Sequence, residues 1–182
     1  MAITRLGPNT VNLTSAVTGT LPTANGGTGA TSFSPGKILQ IVEGTSSTEH
    51  EATGSADQDI GLSVAITPSS SSSKILVTVS FLYKIFQSGE SGSSAQFTLL
   101  RGSTAIITRS GGSSQDYNVE VSALSSNNYA TMATNLNLQI LDSPNTTSAT
   151  TYKIQSTGIT STRVESMLNN RRGSIIAYEV GA

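Results

Sequence analysis

The sequence predicts an all-β protein, an antiparallel β-sandwich or jelly roll preceded by an extended N-terminal arm. Three observations predict it. Short segments with period-2 alternation recur at close spacing, and no segment carries a persuasive helical period. Clusters of Ser, Thr, Gly and Asn punctuate these segments as turns. Only 12% of the 182 residues are charged and the net charge is −1, whereas a disordered chain combines low hydrophobicity with high net charge.

Three parts are expected: an arm over residues 1–18, a connector over 19–36 and a β-sandwich head over 37–182. In the arm, Ile3, Leu6, Val11 and Leu13 are apolar without a sustained period, and Gly7, Pro8 and Asn9 signal a turn. Such a segment is either a frayed terminus or a peptide ordered by lying on a larger surface. Fully extended, residues 1–36 reach about 120 Å at most. The connector core, Gly19–Phe33, reads GTLPTANGGTGATSF and carries no charge. Pro22 fixes its own φ, and Gly26, Gly27 and Gly29 permit close approach of neighbouring chains.

The head begins with a strand over Lys37–Glu43. Gly44–Asp59 is polar and reads as a surface loop or irregular edge. Ile60–Thr67 alternates, with Leu62, Val64 and Ile66 on one face. Pro68 and five serines make a turn. Lys74–Phe86 is the clearest strand: Ile75, Val77, Val79, Phe81, Tyr83 and Ile85 share one face. Leu76, Leu82 and Phe86 make its other face partly apolar, as for a central strand that meets a second surface. In an oligomer, that surface is a subunit contact.

Ala95–Arg101 and Thr104–Arg109 form a hairpin across Gly102 and Ser103. Tyr117–Leu124 is a short strand and Tyr129–Leu141 a long one, with Leu136, Leu138 and Ile140 on one face. Asp142–Asn145 turns the chain into Thr151–Ser156, with Tyr152 and Ile154 inward. Arg163–Leu168 is ambiguous and too short for a helix, and Ser174–Val180 closes the domain. The count is eight or nine strands.

Chemistry is sparse. There is no cysteine, so neither a disulfide nor a thiolate metal site is expected. His50 is the only histidine and stands between Glu49 and Glu51 in the polar stretch, where a solvated histidine is the expectation. Asp57 and Asp59 join those glutamates in an acidic patch, expected to be solvated; calcium binding or a carboxylate pair is the sharper alternative. Gly26, Gly27 and Gly29 lack the lysine and the strand–helix setting of a phosphate loop. Arg171 and Arg172 are too few for nucleic-acid recognition. No catalytic, cofactor or metal residue is expected. Met1–Pro8 has no apolar core of signal-peptide length, and no run reaches the roughly 20 apolar residues of a membrane span.

Two stretches carry a family resemblance. TLPTANGGTGAT, in the connector, resembles a G-x-L-P-x-x-x-G-G-T-G segment of fibre and appendage proteins of tailed bacteriophages. Leu141–Gln155, LDSPNTTSATTYKIQ, resembles the penultimate hairpin of the small β-rich head domain of marine phage fibres. The resemblance implies a jelly-roll-like head, a homotrimer, and a non-enzymatic virion component made in the cytoplasm of the bacterial host. Its partners would be itself, other tail or capsid proteins, and a host surface glycan. A capsid decoration protein and a carbohydrate-binding module are the alternatives; modest length and the missing catalytic constellation speak against a depolymerase. The residues expected to matter are Ile3, Leu6, Val11 and Leu13 for docking, Gly26, Gly27 and Gly29 in the connector, and Leu76, Leu82 and Phe86 between subunits.

Overall fold

The computed structural model describes residues 37–53, 56–88, 93–107, 119–121, 129–159 and 163–181. The expected arm and connector lie outside them. The described residues form strands β1 (Ile38–Ser46), β2 (His50–Thr53), β3 (Gln58–Ile66), β4 (Lys74–Ser88), β5 (Ser93–Arg101) and β6 (Thr104–Ile107). They continue with β7 (Val119–Val121), β8 (Tyr129–Asp142), β9 (Thr150–Ile159), β10 (Arg163–Ser166) and β11 (Gly173–Val180).

Two antiparallel sheets result. In the first, β4 is central: β8 runs along one side of it, β11 and then β10 along the other, with β1 and β2 outside those. The second has β3, β9 and β5 in order, and β6 and β7 both pair with the free side of β5. The pairing is nested. β1 pairs β11, β2 pairs β10, β3 pairs β9, β4 pairs β8 and β5 pairs β7. One long hairpin with its apex around β6 is thus rolled into two facing layers, which is the jelly-roll arrangement.

Alternation explains the layers. Along β4, Ile75, Val77, Val79, Phe81, Tyr83 and Ile85 are buried, and β3 contributes Ile60, Leu62, Val64 and Ile66 from the opposite sheet. Phe97 of β5 meets Phe81 and Tyr83 edge-on, at 5.3 and 4.8 Å between centroids, and so joins the sheets at mid-core. Tyr152 and Ile154 point inward as the alternation requires.

Two expectations change and one is settled. Of the two readings of 44–59, the irregular edge holds: β1 runs on to Ser46, β2 forms an edge strand beside β10, and β3 starts at Gln58. Ala52 and Val164 are the inward apolar residues of β2 and β10, and one such residue in a polar strand leaves no visible alternation. The described strands number eleven rather than eight or nine. Leu141–Gln155 is not a hairpin, because β8 and β9 lie in different sheets and the 143–149 segment arches over the end of the sandwich.

Polar side chains lock this arch. Arg101 Nη1 donates to both carboxylate oxygens of Asp142, at 2.8 and 2.9 Å, and to the Ser143 carbonyl. The Tyr152 hydroxyl donates to Asp142 Oδ2 at 2.7 Å. Burial raises the Tyr152 pKa far above its ordinary value, and the hydrogen bond to the Asp142 carboxylate adds to it.

Candidate functional site

The outward face of the β4 sheet is the surface with the most distinctive chemistry. Antiparallel partners share a face, so register assigns its rows. Ile41 of β1, Tyr178 of β11, Leu76 of β4 and Leu141 of β8 are successive partners across four strands. At strand spacing of about 4.8 Å this apolar row is about 14 Å wide. Among the described residues, the large hydrophobic side chains that are exposed are Ile38 (57%), Leu39 (45%), Ile41 (59%) and Leu141 (51%). Ile41 and Leu141 end the row, and Ile38 and Leu39 open β1 beside it. Soluble proteins leave single apolar side chains exposed everywhere; gathering them on one surface marks a contact.

The chain enters the fold at the same place. Lys37 precedes Ile38, and its carbonyl accepts a hydrogen bond from Gly181 N at 2.6 Å, so both ends of the described fold meet at this patch.

The next rows along the face mix hydroxyl and amide side chains with Ile176. Thr78, Ser80, Asn137, Gln139, Ser174 and Ile176 line a groove of about 400 Å³. Beyond it the face is charged. Glu165, largely buried, takes Arg163 at 2.7 Å and Lys84 at 3.9 Å. Both cations cover the Phe86 ring, with Lys84 Nζ 3.6 Å and the Arg163 guanidinium carbon 3.9 Å from its centroid.

The sequence-predicted residues separate accordingly. Leu76 stands within the apolar row, Leu82 farther along the face, and Phe86 beneath the two cations. Ile3, Leu6, Val11, Leu13, Gly26, Gly27 and Gly29 fall outside the described residues. What sequence reasoning missed is the outward side of β1: KILQIVE reads as a first strand, with no face assigned to Ile38 or Ile41. The available signal was that both partners of a buried strand should alternate, and here Leu39 and Ile41 share a parity opposite to the inward Val42.

The acidic side chains are exposed, as expected of a solvated patch, and each also has a partner. Glu49 accepts from the Asn169 amide at 2.7 Å, Glu51 lies 3.6 Å from Arg163, and Asp57 takes the Thr157 hydroxyl. Asp59 bonds Lys153 at 2.8 Å and Gln155 at 2.7 Å. The bond from Lys153 is the main cause of the lowered Asp59 pKa, outweighing burial. No group of three or more His, Cys, Asp or Glu side chains able to hold a metal occurs among the described residues. His50 opens β2 rather than a loop, half-buried, and its Nδ1 has no hydrogen-bond partner among the described residues. Arg172 pairs with Glu43 of the same chain at 2.9 Å.

A buried carboxylate fastens the patch from beneath. Glu179 points into the sandwich and is fully buried. Its oxygens accept from the Ser69 amide at 2.7 Å, the Ser69 hydroxyl at 2.6 Å and Gln40 Nε2 at 2.6 Å. Burial works against its ionisation, and the hydrogen bonds from Ser69 and Gln40 overcome that, holding the pKa down at about 2.

No family model matches the chain. No curated protein matches it either. A chain of the T13 IBDV viral particle is similar in structure, with 16% identity and a TM-score of 0.32, over 84% of this chain. This chain spans 38% of the length of that neighbour, and a likeness so distant passes no function across.

Proposed function

We propose that the chain is a structural component of a tailed-phage particle: an appendage docked by residues 1–18, extended by 19–36 and displaying the jelly-roll head. The observation that supports it best is the placing of the exposed apolar side chains. They gather on the outer face where residues 1–36 join the fold, as suits a head that works at the end of an anchored arm. The connector resemblance supplies the particle type. On this reading the mechanism is assembly and display without catalysis. Ile3, Leu6, Val11 and Leu13 dock on a virion protein of tail or capsid, and Gly26, Gly27 and Gly29 let three connectors wind closely and satisfy each other's backbone. The protein is made in the host cytoplasm and ends in the virion.

The test is incorporation. Particles purified from infected cells contain the full chain, and a chain lacking residues 1–18 remains soluble and is absent from them. Normal incorporation of the truncated chain removes the arm as anchor; absence of the full chain from particles removes the reading.

The groove favours a second reading, a carbohydrate-binding module or a receptor-binding role for the head. Its hydroxyl and amide side chains match the donors and acceptors of a neutral sugar, and Tyr178 stands one row away. Retention of the protein on a glycan array, lost on Asn137→Ala with Gln139→Ala, supports it; an array without hits ends it.

A further inference from the structure

β8 has one neighbour. It pairs with β4 along its whole length, Tyr129 to Asp142, and no strand among the described residues lies on its other side. A free edge presents a row of backbone N–H and C=O groups that an added strand can bind. We infer that this edge of β8 is a docking site for an extended segment of another protein, which joins the sheet as a further strand.

The other edges of the two sheets show why β8 stands apart. β2, β6 and β7 have four, four and three residues, too short to template a strand. β3 breaks its register between Asp59 and Ser63, where Gly61 takes a φ of 74°. β1 is irregular between Ile38 and Gln40, and its Gly44 lies against the Ser63 carbonyl of β3. β8 carries none of these protections. Its register with β4 runs unbroken, and Tyr129–Leu141 holds no proline, no glycine and no charged residue.

The side chains specify the occupant. Inward, Leu136 is buried, while Met132, Leu138 and Ile140 are only half-buried and Thr134 is exposed. One more strand beyond β8 covers that row if it carries apolar residues at every second position. Outward, Asn135, Asn137 and Gln139 are exposed, and hydroxyl or amide side chains beside them continue the row. The partner is thus an extended, uncharged segment in which apolar and small polar residues alternate. Copies of this chain do not supply it within a trimer. A three-fold contact is head to tail and needs two different edges, and the others are blunted. That step alone rests on the appendage reading.

The experiment is hydrogen exchange, read amide by amide, on the full chain alone and with the capped peptide TVTVTVTKK as probe. Strand addition draws its affinity from main-chain bonds, so alternation is the only match the probe needs. In the chain alone, alternate amides of 131–141, those turned away from β4, are expected to exchange fast. At about ten times its half-saturating concentration the peptide is expected to slow them by about tenfold. A fully N-methylated peptide of the same sequence keeps its side chains but cannot donate, and is expected to leave the rates unchanged. Slow exchange of these amides in the chain alone overturns the inference, because the edge is then already filled by the chain itself or by a second copy. Unchanged rates with the first peptide, or equal slowing by the N-methylated one, overturn it too. None of these results touches the appendage reading, which stands or falls on incorporation into particles.

Discussion

Glu179 shows how one residue joins elements distant in sequence. Its carboxylate ties Gln40 of β1 and Ser69 of the turn before β4 to β11, inside the sandwich. The ionised form is the one bonded, so the folded state holds its pKa near 2 against an ordinary 4.5. The unfolded chain therefore binds more protons in acid. Stability from this site is fully present above pH 4.5 and is lost as pH falls through about 2. Glu179→Gln places an amide donor against those donors and is expected to cost about 1–3 kcal/mol at neutral pH. Urea midpoints at pH 7 and pH 3 check this, the gap between variant and wild type narrowing in acid. The Asp142 clamp behaves alike: Tyr152→Phe removes one bond and costs about 1 kcal/mol, while Asp142→Ala strands both a buried hydroxyl and a cation and costs more. Gly44 is a steric lock. A Cβ there would sit 1.8 Å from the Ser63 carbonyl oxygen of the facing strand, so Gly44→Ala forces β1 and β3 apart and costs about 1–3 kcal/mol in thermal unfolding.

At the scale of elements, legibility followed alternation. β3, β4 and β8 carry several large residues of one parity, and the sequence located them and that face within a residue or two; β11 was located without a face, because its large residues stand at both parities. β2 and β10 escaped because their stability comes from pairing and from ion pairs such as Arg163 with Glu165 and Glu51, which leave no period. The β8–β9 connection escaped for another reason. Asp142, Pro144 and Asn145 announce a turn, and turn chemistry is the same whether the chain returns beside its own strand or crosses to the other sheet. The same limit hid the candidate surface. Which parity of β1 faces outward depends on its pairing with β11 and on the irregularity between Ile38 and Gln40, and neither is local.

For the whole molecule, the nested pairing has a kinetic consequence. Only β5, β6 and β7 pair close in sequence; β1 must find β11 across almost the whole head. Loop closure of that span precedes any reward from it, so folding is expected on the millisecond-to-second scale. Stopped-flow refolding of the full chain checks it, and a microsecond phase carrying the whole amplitude would contradict the rolled-hairpin account. The same wrapping sets the two ends of the fold side by side at the apolar patch and turns the polar groove and charged cluster away along the same face. The head is thus asymmetric along one face, apolar where the chain enters and polar beyond.

The chain contains no cysteine, so single cysteines report contacts without background. The most direct measurement is oxidative cross-linking of Leu141→Cys, with Ala65→Cys, on the exposed side of β3 in the other sheet, as the control. The account predicts disulfide-linked dimers from Leu141→Cys at low protein concentration and none from Ala65→Cys. Equal cross-linking at both positions, or none at either, would contradict the subunit contact that the appendage reading expects at Leu76, the register partner of Leu141.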